Sequence, residues 1–189
     1  MTRFLAPLAA LLALPLAACD ADGDLLGEFE ARIDTGDQVR LVDGEAVYTV
    51  VETAGGPEFV LGLFVGDLFE SDFDEYDYIL FRRPGLRPGV GAYTVDDDPT
   101  FAVAATIANV DEADEPLEAT GSLLRGLDGT LAFTRIDDYG FAAGTFQFDA
   151  AGFFVDRPAR TVSGAASGTF EARYEPPAAF RRLGLDLGI

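Results

Sequence analysis

Histidine, lysine and tryptophan are missing from this chain, and cysteine and methionine occur once each. Without histidine there is no Ser-His-Asp triad, no imidazole metal ligand and no imidazole general base. Without lysine there is no Schiff base and no phosphate-gripping lysine of a P-loop. The one cysteine, Cys19, stands at the end of an apolar leader, so the mature fold has neither a disulfide nor a free thiol nucleophile.

Positive charge is scarce as well. Thirteen basic residues, all arginine, face 33 acidic ones, for a formal net charge of -20. Such a field repels nucleic-acid phosphates and anionic bilayers, which excludes a nucleic-acid partner and leaves any membrane tie to a covalent lipid. An acidic bias of this size also keeps proteins soluble in salty habitats. By the same argument a ligand is expected to be uncharged or cationic, and largely apolar.

What is abundant points to strands. Phenylalanine (16) and glycine (21) are frequent and 49% of the chain is hydrophobic, which is far from disorder and favours β structure. Three segments open alike, Gly129-Thr130-Leu131, Gly144-Thr145-Phe146 and Gly168-Thr169-Phe170, and then alternate apolar with polar. Period-two alternation marks a strand with one buried and one wet face. Turn residues separate these segments, so they read as an antiparallel meander. The expected fold is all-β, a single antiparallel barrel or sandwich with mostly meander connections and roughly eight to ten strands.

Along the chain, residues 1–18 read as a signal peptide, 19–25 as a modified cysteine and acidic tether, 26–175 as the β domain and 176–189 as a C-terminal tail. Gly27 to Asp34 alternates with Phe29, Ala31 and Ile33 inward, and echoes Gly168 to Tyr174. These first and last strands are expected side by side, because either one unpaired would leave an exposed edge. Antiparallel pairing would place Glu28 and Glu30 near Arg173, and Glu171 near Arg32. Ala46–Thr53 and Glu58–Gly66 flank an Ala54-Gly55-Gly56-Pro57 turn as a hairpin. The second of these runs is almost continuously apolar, so it is covered on both sides or bends at its glycines.

Further strands are expected at Asp77–Arg83, Ala92–Val95, Thr100–Ala108 and around Leu117–Arg125. Phe29, Phe59, Leu61, Leu63, Phe101, Val103, Phe146, Phe148, Phe170 and Tyr174 form the expected core. Small residues such as Gly62, Ala102, Ala104, Gly121 and Ala172 are expected inside, either tightening the barrel or leaving room for one small apolar ligand. Leu183–Ile189 alternates too, as an added edge strand or a loose peptide.

The run Asp67–Asp77 is the densest in carboxylates, and Asp72, Asp74 and Asp77 are its candidate Ca²⁺ ligands. It lacks the spacing, central glycine and terminal glutamate of an EF-hand, so a solvated loop is the simpler reading. Arg82, Arg83 and Arg87 form the main basic cluster, expected to pair with local carboxylates.

Leu16-Ala17-Ala18-Cys19, just where the apolar leader ends, resembles the lipobox of bacterial lipoproteins. The resemblance implies diacylglyceryl transfer to the Cys19 thiol, cleavage before it and acylation of the new amine, and several acyl chains anchor durably. Asp20 resembles the inner-membrane retention signal of enteric bacteria, whereas the patch Asp20–Asp24 resembles a surface-export signal of other Gram-negative bacteria; the lysine-free composition points to the outer membrane. Gly91-Ala92-Tyr93-Thr94-Val95 with the later Gly-Thr-Phe strands resembles small β-rich envelope lipoproteins of Gram-negative bacteria. The expectation is therefore a lipid-anchored envelope protein with a binding or structural role, no enzymatic activity and no cofactor. Its partners would be the membrane through Cys19 and a small apolar ligand or an envelope protein. Two alternatives stand beside it, a carboxylate-only hydrolase of glycosidase type and a Ca²⁺-dependent adhesion module.

Overall fold

The computed structural model describes residues 27–36, 39–65, 78–96, 103–108, 122–137, 140–154, 159 and 161–182. The strands are β1 (Glu28–Asp34), β2 (Val39–Thr53), β3 (Gly56–Val65), β4 (Tyr78–Pro84), β5 (Gly91–Asp96), β6 (Ala104–Ala108), β7 (Ser122–Ile136), β8 (Phe141–Phe154) and β9 (Thr161–Tyr174), followed by a short helix, α1 (Pro177–Arg182). Eight of the strands close a ring in the order β1-β2-β3-β4-β6-β7-β8-β9, each antiparallel to the next. The architecture is a barrel, not a sandwich. Strand β5 continues the line of β6, bridging to it at Val95 and Val103, and pairs with the other half of β7.

Closure is made by β1 against β9, with Phe29 opposite Phe170 and Ala31 opposite Gly168. The first and last strands therefore do lie side by side. The expected charge pairing does not form, because the inward residues fix the register and place Glu28 opposite Glu171 on one side and Glu45 on the other. Like charges directly opposite cost up to ~1 kcal/mol. Glu171 is instead compensated by Arg135, at 2.8 Å, while Arg32 bonds Asp34 and Arg173 bonds Glu175.

The recurring Gly-Thr-Phe motif has a packing explanation. Strands β8 and β9 pair so that Gly144 faces Phe170, Thr145 faces Thr169 and Phe146 faces Gly168. Each phenylalanine ring lies across the other strand's glycine: a Cβ on Gly144 would stand 2.7 Å from Cζ of Phe170, and one on Gly168 2.7 Å from Cζ of Phe146. A side chain at either glycine would take the space the ring needs. Gly129 stands opposite Phe148 too, but there an added Cβ would meet the Gln147 carbonyl oxygen and the Phe148 Cβ and Cα, not the ring.

Residues 122–136 form one strand where the sequence suggested two segments. Register shifts at Gly126/Asp128 and Phe133/Arg135 absorb the local glycine-rich stretch as bulges, which bend the strand without ending it.

The inner face carries the main core, including Phe29, Phe59, Leu61, Leu63, Phe81, Val103, Phe133, Phe146, Phe148 and Phe170. Strand β3 is buried on both faces, as its apolar run implied. Its outward residues Val60 and Phe64 join Val47, Val51 and Leu80 in a second cluster on the outside of the wall, which Phe180 of α1 covers. Three expectations need correction. Tyr174 continues the inward alternation of β9 but is 49% exposed, because it stands at the barrel's rim. Gly62 faces outward, where it makes room for the rings of Phe64 and Phe180. Ala104 also faces outward, opposite Arg82. Ala172 is buried inside, whereas Phe101, Ala102, Gly121 and the tail after Arg182 lie outside the described residues.

Gly27 sits where β1 leaves the wall. Beyond it β2 and β9 meet directly and in parallel, Val47 with Arg173 and Tyr48 with Tyr174. A side chain at Gly27 would run into the Ala46 carbonyl oxygen and stand 2.8 Å from the Arg173 nitrogen.

Candidate functional site

One end of the barrel gathers the β2–β3 hairpin, the loop after β4, the turn between β7 and β8 and the end of β9. The hairpin is tight: Thr53 pairs with Gly56, and the Thr53 hydroxyl donates to the Gly56 carbonyl at 2.8 Å. Beside it, the Gly85 amide donates to the Pro57 carbonyl at 2.7 Å, and the loop 85–90 folds back with Pro88 buried. Gly85 has φ +106°, a left-handed conformation that suits glycine at this reversal.

Five aromatic rings form a connected chain at this mouth. Tyr174 meets Tyr48 edge-on at 5.7 Å, Tyr48 meets Phe59 at 5.8 Å, Phe59 meets Phe133 at 5.8 Å, and Phe133 meets Tyr93 at 6.0 Å. Two arginines complete it. The Arg83 guanidinium lies over the Tyr93 ring, 5.1 Å from its centre, and that of Arg87 lies 6.0 Å from the centre of Tyr48 while donating to its hydroxyl at 3.0 Å. The Tyr93 hydroxyl donates to the Gly89 carbonyl at 2.8 Å, so the loop is held from both sides.

The arginine cluster thus divides. Arg82 points outward and grips Glu58 with two hydrogen bonds, of 3.0 and 2.7 Å, as expected. Arg83, opposite Phe59 in the register, falls on the inward face; among the described residues neither it nor Arg87 makes an ion pair. In a chain with so many carboxylates these two cations lie on tyrosine rings instead. Sequence spacing did contain a clue, since Arg83 continues the inward series Ile79, Phe81.

A second feature is an open groove of about 980 Å³ along the outside of β1, lined among others by Glu28, Glu30, Arg32, Leu41, Asp43 and Glu171. Glu28, Glu30 and Asp43 are exposed there, on the wet faces of their strands. Among the described residues no group of carboxylates is arranged to hold a metal ion. The candidate ligands Asp72, Asp74 and Asp77, and the modified cysteine Cys19, lie outside the described residues.

The class defined by these observations is a small up-and-down antiparallel barrel with a packed aromatic interior and an arginine–tyrosine mouth. The chain matches no family, no curated protein and no solved structure with which it was compared.

Proposed function

We propose that this is a lipid-anchored protein of the bacterial cell envelope whose role is binding or structural, not catalytic. The observation that carries the reading is Leu16-Ala17-Ala18-Cys19 at the end of an apolar leader, directly ahead of a short acidic tether. The character of the barrel wall supports it. Arg125, Asp128, Thr130, Thr145, Gln147, Asp149 and Thr169 are exposed on β7, β8 and β9. Charge in mid-wall is costly against lipid, so attachment falls to the acyl chains on Cys19. The chain contains none of the usual nucleophile–base pairs that need histidine, lysine or a free thiol, which favours binding over chemistry. The lysine-free, acidic composition favours the outer membrane over the inner as the anchor's location. The partners are the bilayer through Cys19 and a small ligand or another envelope protein.

Mass spectrometry of the native protein tests this directly. The expected product begins at Cys19 and carries acyl chains, and Cys19→Ala abolishes both lipid and cleavage. An unmodified Cys19, or normal processing of the alanine variant, would overturn the anchor. Sucrose-gradient separation of the two membranes then assigns the compartment.

A further inference from the structure

The geometry points to the mouth of the barrel as a site for a carboxylate carried on a planar or apolar body, with Arg83 as the residue that recognises it. This inference rests on the reading of the protein as a binding module.

Arg83 occupies an inward position of β4, next in the series after Phe81, where an apolar residue would extend the core. It is half-buried, yet its side chain makes no hydrogen bond and no ion pair with any described residue. Its contact is with the face of Tyr93, 5.1 Å away. A guanidinium stacked on a ring keeps its N–H donors free around its edge, and two of them match the two oxygens of a carboxylate. The neighbouring Arg82 shows this bidentate grip within the same strand, on Glu58.

The surroundings suit an anion locally despite the global charge. Three described carboxylates near this end are already engaged: Glu58 with Arg82, Glu175 with Arg173, and Asp137 accepting from the Phe141 amide at 3.0 Å; Glu52, exposed at the tip of β2, is the one that is not. Arg87 adds a second cation on Tyr48. Field strength at a site is set by the nearest charges, since distant ones are screened within about 8–10 Å at ordinary salt. The expectation of a cationic or neutral ligand, drawn from net charge, therefore does not extend to this mouth. Below the arginines, Phe59 and Phe133 close the floor, so the ligand lies across the tyrosine rim instead of descending into the barrel.

The test uses the full chain in detergent and exploits the lack of tryptophan. Tyrosine is then the intrinsic fluorophore, and Tyr48, Tyr93 and Tyr174 of the mouth are half of the chain's six. Benzoate is titrated against benzyl alcohol and inorganic phosphate, following tyrosine emission and melting temperature. A saturable change with benzoate is expected, at least tenfold weaker (about 1.4 kcal/mol) with benzyl alcohol or phosphate. Arg83→Gln should weaken benzoate at least tenfold, and Arg83→Lys, which keeps the charge without the fork, should fall between. Wild-type affinity in Arg83→Gln would overturn the proposal, as would equal binding of phosphate or no saturable response to benzoate. None of those results would touch the lipid anchor, which the mass of Cys19 decides separately.

Discussion

Phe59 and Phe133 meet edge to face with ring centres 5.8 Å apart, although their strands β3 and β7 are not neighbours in the ring. The contact spans the inside of the barrel, and Phe133 also meets Phe170 at 5.6 Å. Deeper in the interior, Phe81 lies 5.4 Å from Phe146 and 5.6 Å from Phe148. Stability therefore depends on rings that brace opposite walls.

Truncating such a brace should be costly. Phe133→Ala removes contacts with Phe59, Phe170 and Tyr93 and leaves a void that the closed wall resists filling. The expected loss is about 3–5 kcal/mol, measured by urea denaturation.

The glycines beneath the rings make a sharper test. Gly168→Ala sets a methyl against Phe146 and the β1 backbone and should cost about 1–3 kcal/mol by overpacking. Gly89→Ala, which meets nothing within 4 Å, is the matched control and should be nearly silent. Equal effects at both sites would refute the ring-on-glycine account.

The outer cluster supplies a stabilising substitution. Thr49 is fully buried among its apolar residues, and its hydroxyl has no hydrogen-bond partner among the described residues. Thr49→Val removes that cost and should stabilise the fold by about 1–2 kcal/mol. Phe180→Ala, which uncovers the same cluster, should destabilise it and raise binding of a hydrophobic dye.

Stability should also fall on the alkaline side. Burial pushes the Tyr78 hydroxyl above the ordinary tyrosine value of 10.0. The folded state keeps this proton where the unfolded chain loses it, so its contribution is complete below the ordinary value of 10.0 and is lost as pH climbs through the raised one. Tyr78→Phe should flatten the decline seen in denaturation curves collected from neutral to alkaline pH. An unchanged slope would assign the decline to other groups.

Alternation identified the strands because each shows one face to the core, and Phe29, Leu61, Phe146 and Phe170 went where it sent them. The β1–β9 contact was also legible, since two amphipathic termini each need a partner. Register was not: it is decided by which inward side chains fit, and Glu28 ends opposite Glu171 as a by-product of Phe29 meeting Phe170. Helix α1 escaped notice because six residues carry no periodicity, although Pro177 at its first position is a starting signal. The mouth was hidden for another reason. Arg83 reads as one of a basic pair, and only its place in β4 separates it from Arg82, which faces Glu58 on the outside.

The seam between β1 and β9 also governs timing. A meander can assemble hairpin by hairpin as the chain emerges, but this ring is complete only when its first strand meets its last. Until then β1 has one neighbour and β9 has a bare edge, so a partly synthesised chain is an open, curling sheet. Contacts of such long sequence separation form slowly, so closure is the late step of folding. The final strand is thus the latch that commits the chain to a closed shape.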